Sequence, residues 1–208
     1  MNKAIIGKKI GMSQVFAEDG KIIPVTVVQA GPCPVVQIKT KEKDGYSAVK
    51  LGFDEIAEKK TSKPDLGQFK KANVKPVRVL KEFKLEGEFT LGQVICCTSF
   101  KKGDKVDVSG RTRGRGFTGV IQRWNQHRLK MTHGTGPTHR EVGSMSSNSD
   151  PSRVFKLKKM PGRYGYENVT IQNLEVVKVD EKRNVLMLKG AVPGPKKGYV
   201  FIADSVKA

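Results

Sequence analysis

The stretch GRTRGRGFTG, residues 110–119, combines two patterns that bind phosphate in different ways. Gly114, Gly116 and Gly119 have the G-x-G-x-x-G spacing of a dinucleotide-binding loop. Arginines alternate with these glycines, and a guanidinium group binds phosphate through two parallel hydrogen bonds. The stretch therefore predicts either a loop around one pyrophosphate or a flexible strip along a polyphosphate chain.

The surroundings of the glycines do not favour a dinucleotide loop. Such a loop follows a buried parallel strand, opens a helix and has an acidic residue about 20 residues further on. KVDVSG, residues 105–110, is a poor candidate for a fully buried strand, and Glu141 lies in the turn-rich GPTHREVG. The kinase glycine-rich loop has the same spacing, but the sequence has no HRD or DFG motif. The arginines therefore favour a polyphosphate chain.

Residues 109–165 differ in composition from the rest of the chain. They contain eight of the ten arginines and four lysines but only two acids, Glu141 and Asp150, which gives this segment a charge of +10. They contain no long apolar run, so burial cannot offset the roughly 1–2 kcal/mol of backbone entropy per residue. A long segment of this kind is typical of a binding role. A disordered basic insertion without specific contacts is the alternative.

The same segment offers little for metal binding or catalysis. His127, His133 and His139 are spaced more widely than the close pairs of zinc sites, and no cysteine lies nearby. Two isolated carboxylates do not form the cluster that a metal-dependent nuclease requires. We therefore predict no catalytic residue, no cofactor and no metal site, and we expect the imidazoles to contact bases or phosphate.

The side chains expected to bind RNA are the basic residues of this segment, its histidines, and two aromatic residues that can stack on bases or ribose. They are Arg111, Arg113, Arg115, Phe117, Arg123, Trp124, His127, Arg128, Lys130, His133, His139, Arg140, Arg153, Lys156, Lys158, Lys159 and Arg163.

Overall composition agrees with a polyanionic partner. The 208 residues include 39 Lys and Arg against 20 acids, a net charge of +19. Such a surplus destabilises a compact state unless a polyanion neutralises it, so nucleic acid is the first candidate and an anionic membrane surface the second. No run approaches the roughly 20 apolar residues of a spanning helix, and no signal-peptide core is present, so we predict a cytoplasmic protein without a membrane partner. The three cysteines are predicted to be buried strand thiols, with a redox or metal role as the alternative.

Short strands separated by turns account for most of the remaining sequence. Residues 54–75 are polar and predict a small insertion with one or two short helices. Many short strands at near-regular spacing predict a mainly β fold, a closed or partly closed barrel. The predicted strands cover 22–30, 34–40, 46–53, 77–83, 105–110, 169–180, 184–192 and 198–206. We expect residues 1–108 and 166–208 to form one discontinuous barrel domain, with 109–165 inserted as an extension.

Five motifs, in this order, resemble the family of ribosomal protein three of the large subunit, in its bacterial form. They cover almost the whole chain and are highly specific together. They are GKKIGMSQVF at 7–16, GRGFTGVIQRW at 114–124, HGTGPTHR at 133–140, RVFKLKKMPGRYG at 153–165 and KGAVPGPKKG at 189–198.

The resemblance implies a structural, non-enzymatic protein of the large ribosomal subunit. It implies a β-barrel that binds near the 3′ end of large-subunit rRNA and helps to initiate subunit assembly. It also implies an extension buried in rRNA whose tip approaches the peptidyl transferase centre. Large-subunit proteins fourteen and nineteen are expected neighbours, and no small-molecule substrate is expected.

By position, GSMSSNSDPS at 143–152 is the tip of the extension. Its candidate functional residues are Ser144, Met145, Ser147, Asn148, Ser149 and Asp150. Many bacterial members of the family carry glutamines here, one of them N-methylated. Because this sequence has Ser-Asn-Ser at 147–149 instead, that modification is not expected.

Two other functional classes remain as alternatives to a ribosomal protein. A free-standing RNA chaperone or DNA-organising protein would have the same charge, and an enzyme is the third possibility. The salt dependence of binding is similar for RNA and DNA, so it does not distinguish a chaperone or DNA-organising protein from a ribosomal protein. Specific recognition of RNA shape does distinguish them.

Overall fold

The computed structural model describes residues 3–207 and divides them into two compact units, 3–112 with 168–207, and 113–167. The protein is mainly β, as predicted. The strands are β1 (Ala4–Phe16), β2 (Ile22–Ala30), β3 (Cys33–Lys39), β4 (Ala48–Glu55), β5 (Val77–Phe83), β6 (Val94–Ile95), β7 (Lys105–Arg111), β8 (Phe117–Thr118), β9 (Gly162–Arg163), β10 (Asn168–Asp180), β11 (Val185–Lys189) and β12 (Tyr199–Asp204). The α-helices are α1 (Lys41–Asp44), α2 (Lys63–Ala72) and α3 (Val120–Trp124), and 3₁₀ turns cover Glu58–Lys60 and Cys97–Ser99.

Six antiparallel strands of the first unit close a barrel in the order β1-β12-β7-β10-β11-β2. Successive side chains of a strand point to opposite faces, so every second residue enters the barrel. In β12, Val200 and Ile202 are fully buried, whereas Tyr199 and Phe201 face outward and are half-buried. The barrel predicted from the strand spacing is therefore confirmed, and it is closed.

β1 is a 13-residue strand that the sequence pattern did not predict. Its GKKIG motif breaks the usual alternation with glycines and lysines, and tertiary contacts explain both. Gly7 lies so close to β2 that a Cβ atom there would be 2.6 Å from Cγ1 of Val28. The Nζ of Lys9 is buried and donates to the carbonyls of Val192 at 2.7 Å and Gly194 at 3.0 Å. Burial lowers the pKa of Lys9, because the charged form loses hydration.

A second sheet, in the order β5-β4-β3-β6, shares its hydrophobic core with the barrel. Val35, Leu51 and Phe53 of this sheet belong to the same buried cluster as Ile5 and Ile202 of the barrel. β5 lies at an edge of the sheet and pairs only with β4 within the described residues.

Helix α2 is the helical part of the predicted insertion between β4 and β5. The Oγ of Ser62 caps its first turn by accepting the N–H of Asp65, and Asn73 ends it in the left-handed conformation with φ of 52°. Its buried Phe69 packs with Val36 and Val77. Among residues 3–207, no helix has the length and apolar character to cross a membrane.

The prediction of buried strand thiols holds for one of the three cysteines. Cys33 is fully buried in β3, where its Sγ donates to the carbonyl of Ile6 at 3.3 Å, and burial raises its pKa to about 12. Cys97 is buried but begins a 3₁₀ turn, and Cys96 before it is only half-buried. The apolar run that contains them turns after the two residues of β6, so it is too short to continue as a strand.

Candidate nucleic-acid interface

The second unit, residues 113–167, has almost no hydrophobic core. Of these residues, all of which the structure describes, only Thr118 and Val120 are buried. Large apolar side chains remain in solvent, including Phe117 at 81% exposure and Leu157 at 99%. We call residues 113–167 the basic unit. Because so few of its side chains are buried, its functional groups are exposed at the surface.

The GRTRGRGFTG stretch forms a backbone ladder rather than an open phosphate loop. The N–H of Arg115 donates to the carbonyl of Tyr164, and the N–H of Tyr164 donates to the carbonyl of Gly116, each at 2.9 Å. Gly165, with φ of +72°, faces Arg113, and a Cβ there would lie 2.1 Å from the Arg113 carbonyl oxygen. Gly165 thus allows its segment of the chain to approach Arg113. Nothing lies within 4 Å of a Cβ at Gly116 or Gly119, and the approach of these glycines to phosphate stays a prediction.

Helix α3 is fastened to Met160 through two side chains. Nη1 of Arg123 and Nε1 of Trp124 both donate to the Met160 carbonyl, each at 2.9 Å. The Arg123 guanidinium lies 4.9 Å from the Trp124 ring centroid, and the ammonium of Lys159 lies 5.9 Å from it. We call Arg123, Trp124 and Met160 the carbonyl clasp. Both predicted RNA-binding side chains of the clasp therefore also have partners inside the basic unit.

Three other aromatic rings of the basic unit have an arginine guanidinium over them. A guanidinium that lies over a ring is held in place, while N–H groups at its edge stay available for phosphate. One face of each ring is therefore occupied by a cation before any base arrives. The pairs are Arg115 over Tyr164 at 5.9 Å, Arg153 over Phe155 at 5.5 Å and Arg163 over Tyr166 at 5.1 Å.

Positive charge dominates the surface of the basic unit. Eleven arginines and lysines face three carboxylates. Of the predicted RNA-binding side chains in this unit, Arg123 and His139 are half-buried and all others are exposed. Neither Glu141 nor Asp150 forms an ion pair within the part of the chain that the structure describes. The unit therefore presents a largely uncompensated cationic surface.

The three histidines occupy different surroundings. Nδ1 of His139 lies 3.1 Å from the carbonyl oxygen of Lys130, and the His139 carbonyl accepts the N–H of Leu129 at 3.1 Å. His127 and His133 are exposed. Across residues 3–207, no three His, Cys, Asp or Glu side chains are grouped so that they could hold a metal ion.

Hydrogen bonds close the base of the predicted tip. The Oγ of Ser146 donates to the carbonyl of Arg153 at 2.9 Å, and the Nζ of Lys158 donates to the carbonyl of Ser144 at 3.0 Å. Ser144, Met145 and residues 147–150 are exposed. Lys158, a predicted RNA-binding residue, thus contributes to the shape of the tip.

Arg111 lies in the first unit, although the sequence placed it in the extension. It is the last residue of β7 and pairs in register with Asn168 of β10. Arg111 continues the strand that begins at Lys105. The sequence placed it in the extension because its side chain is basic, like those of Arg113 and Arg115. Arg111 belongs to the first unit because its backbone pairs with β10 of the barrel.

A closed β-barrel with an internal, core-poor cationic unit is an architecture for a structural protein whose function lies in its surface charge. The chain belongs to the ribosomal protein L3 family: the sequence model of that family, described as Ribosomal protein L3, matches residues 59–185, more than half of the chain and all of the basic unit. It is therefore a structural protein of the large ribosomal subunit, a ribonucleoprotein component that functions in translation. The family predicted from the five motifs is confirmed, and it is not an enzyme family.

Proposed function

We propose that the basic unit, residues 113–167, binds large-subunit rRNA and fixes the relative positions of RNA helices where they crowd together. The supporting observation is the cationic surface of the basic unit, with eleven cations, three carboxylates and two buried residues. When these cations neutralise RNA phosphates, counterions condensed on the RNA are released, and this release contributes a large share of the binding free energy. The stacked arginines lose little conformational freedom on binding, since their rings already orient them.

The finer parts of this function follow from the family resemblance. The first unit, which contains the barrel, binds near the 3′ end of the rRNA and helps to initiate assembly of the subunit in the cytoplasm. The tip at 143–152 extends toward the peptidyl transferase centre, and proteins fourteen and nineteen are neighbours. Tip residues act on peptide-bond formation only indirectly, through the RNA that they position.

Binding to two nucleic acids tests this proposal. We expect the full chain to bind a fragment from the 3′ part of large-subunit rRNA at least ~10³-fold more tightly than duplex DNA of equal length, the ratio typical of specific over non-specific complexes. We also expect the protein to co-sediment with the large subunit in high salt. Equal affinity for both nucleic acids would instead favour a general nucleic-acid chaperone.

A further inference from the structure

A groove in the first unit lies apart from every predicted RNA-binding residue except Arg111. It separates the outer face of barrel strands β12, β7 and β10 from strand β5 and has a volume of about 760 Å³. We propose that this groove binds one unpaired nucleotide of the RNA, an inference that rests on the proposed function and adds a second contact on the barrel.

The barrel wall of the groove combines an aromatic ring with hydroxyl groups. Strand register places Phe201 opposite Ser109, and Ser109 opposite Thr170. The hydroxyl oxygens of Ser109 and Thr170 are 2.7 Å apart, and Tyr199 lines the groove beside them. A nucleobase has the complementary shape, since its flat face stacks on a ring and its edge offers donors and acceptors to hydroxyls.

The opposite wall contributes cations. Lys81 of β5 and Lys84 just beyond it are exposed, and neither forms an ion pair among residues 3–207. The Lys81 ammonium lies 5.5 Å from the centroid of the Phe201 ring. A base that stacks on Phe201 replaces this ammonium on the ring face, and the displaced Lys81 then meets the phosphate of the same nucleotide.

The carboxylates at the groove are already satisfied within the protein. Oδ1 of Asp107 accepts the N–H of Asn173 at 2.9 Å. Glu82 accepts the hydroxyl of Tyr46 at 2.8 Å and lies 3.0 Å from Nζ of Lys39. Asp107 keeps its negative charge, but Lys81 and Lys84 outnumber it, so the net charge toward the groove is positive. An acidic peptide matches this charge but offers no flat ring with polar edges, so a nucleotide fits the groove better.

Ultraviolet cross-linking of the intact large subunit tests the proposal, because nucleobases photoreact with aromatic side chains that they contact. Trypsin cleaves after Lys197 and Lys207 and releases residues 198–207, which contain both Tyr199 and Phe201. We expect mass spectrometry to find a nucleotide adduct on this peptide. Residues 116–123, released by cleavage after Arg115 and Arg123, report on the basic unit in the same sample.

Variants of the full chain supply an independent measurement with the rRNA fragment. Phe201→Leu keeps the apolar volume but removes the flat ring, and we expect affinity to fall at least about fivefold, as loss of one stacked base implies. Phe16→Leu, at a ring that is 66% exposed on β1, is the matched control and should leave affinity unchanged. If Phe201→Leu does not fold, the exposed pair Lys81→Ala and Lys84→Ala tests the same groove through a smaller salt dependence.

The outcomes separate the groove from the proposed function. Adducts on 116–123 with none on 198–207 would overturn the groove and leave the function of the basic unit standing. Absence of adducts on both peptides would contradict RNA binding itself. An amine-reactive cross-link from Lys81 to another protein would assign the groove to a protein neighbour and also overturn the proposal.

Discussion

Replacement of Gly162 by alanine should open the carbonyl clasp without changing any of its three residues. Gly162 lies in β9, and a Cβ there would be 2.4 Å from Nη1 and 3.2 Å from Cζ of Arg123. The guanidinium is the end of a flexible side chain, so it moves away rather than forcing the backbone apart. It then loses its hydrogen bond to the Met160 carbonyl and its position over the Trp124 ring.

The expected cost is modest and local. A hydrogen bond at a partly exposed site contributes about 0.5–1.5 kcal/mol, and an exposed cation–π pair about 0.5–1 kcal/mol. Loss of both weakens the clasp by about 1–2.5 kcal/mol, which raises its open population roughly 5- to 70-fold. The barrel has its own core, so its unfolding transition should not change.

Tryptophan fluorescence measures this opening, since Trp124 is the only tryptophan and its side chain is 40% exposed in the closed clasp. We expect Gly162→Ala and Arg123→Ala to shift the emission to longer wavelength and to increase quenching by acrylamide. Gly119→Ala is the matched control, because its φ is −68° and nothing lies within 4 Å of a Cβ at that position.

Unchanged quenching in both Gly162→Ala and Arg123→Ala would refute the clasp, because Trp124 would then be equally accessible with and without its partners. A red shift in the Gly119→Ala control would show that the emission reports on general loosening of α3. In that case the effect of Gly162 could not be attributed to displacement of Arg123.

Three further predictions concern binding, dynamics and stability. Arg113→Ala with Arg115→Ala should leave the circular dichroism of the barrel intact and reduce the slope of log affinity for rRNA against log salt by roughly 1.4–1.8; an unfolded barrel would mean that these arginines are structural. In the free protein, amide exchange should be fast across 125–160 and slow in the barrel strands, and uniform protection would contradict an extension that RNA orders. Gly7→Ala should lower the free energy of unfolding in urea by about 1–3 kcal/mol because its Cβ meets β2. Gly67→Ala, in α2 with nothing within 4 Å of a Cβ, should raise the free energy of unfolding by up to about 1 kcal/mol. If Gly7→Ala were the more stable of the two variants, the close contact of Gly7 with β2 would be wrong.

Strands rich in β-branched and apolar residues were predictable, two of them to the residue, whereas a strand interrupted by glycines and lysines and a very short strand were not. β2 and β5 begin and end where the pattern of β-branched and apolar residues does. β1 was missed because Lys9 occupies a buried position that only the carbonyls of the 192–194 loop make tolerable for an ammonium group. The two residues of β6 are too few for any periodicity to identify.

In the candidate site, too, some features were predictable from the sequence and others were not. The concentration of arginine and lysine within one segment is a property of the sequence itself, and it predicted the exposed cationic surface. No spacing rule relates Arg123 and Trp124 to a carbonyl at Met160, and their partner became visible only in the folded basic unit. The same holds for the stacked arginines, whose rings lie at irregular distances along the chain.

The sequence by itself determined the mainly β character, the position of the basic segment and the family. These depend on alternation, composition and short motifs, which are local along the chain. The tertiary structure decided the closure of the barrel, the burial of Lys9, the pairing of the glycine-rich stretch with residues 162–165, and the groove between Phe201 and Lys81. Each of these is a contact between segments far apart in sequence, and only folding brings such segments together.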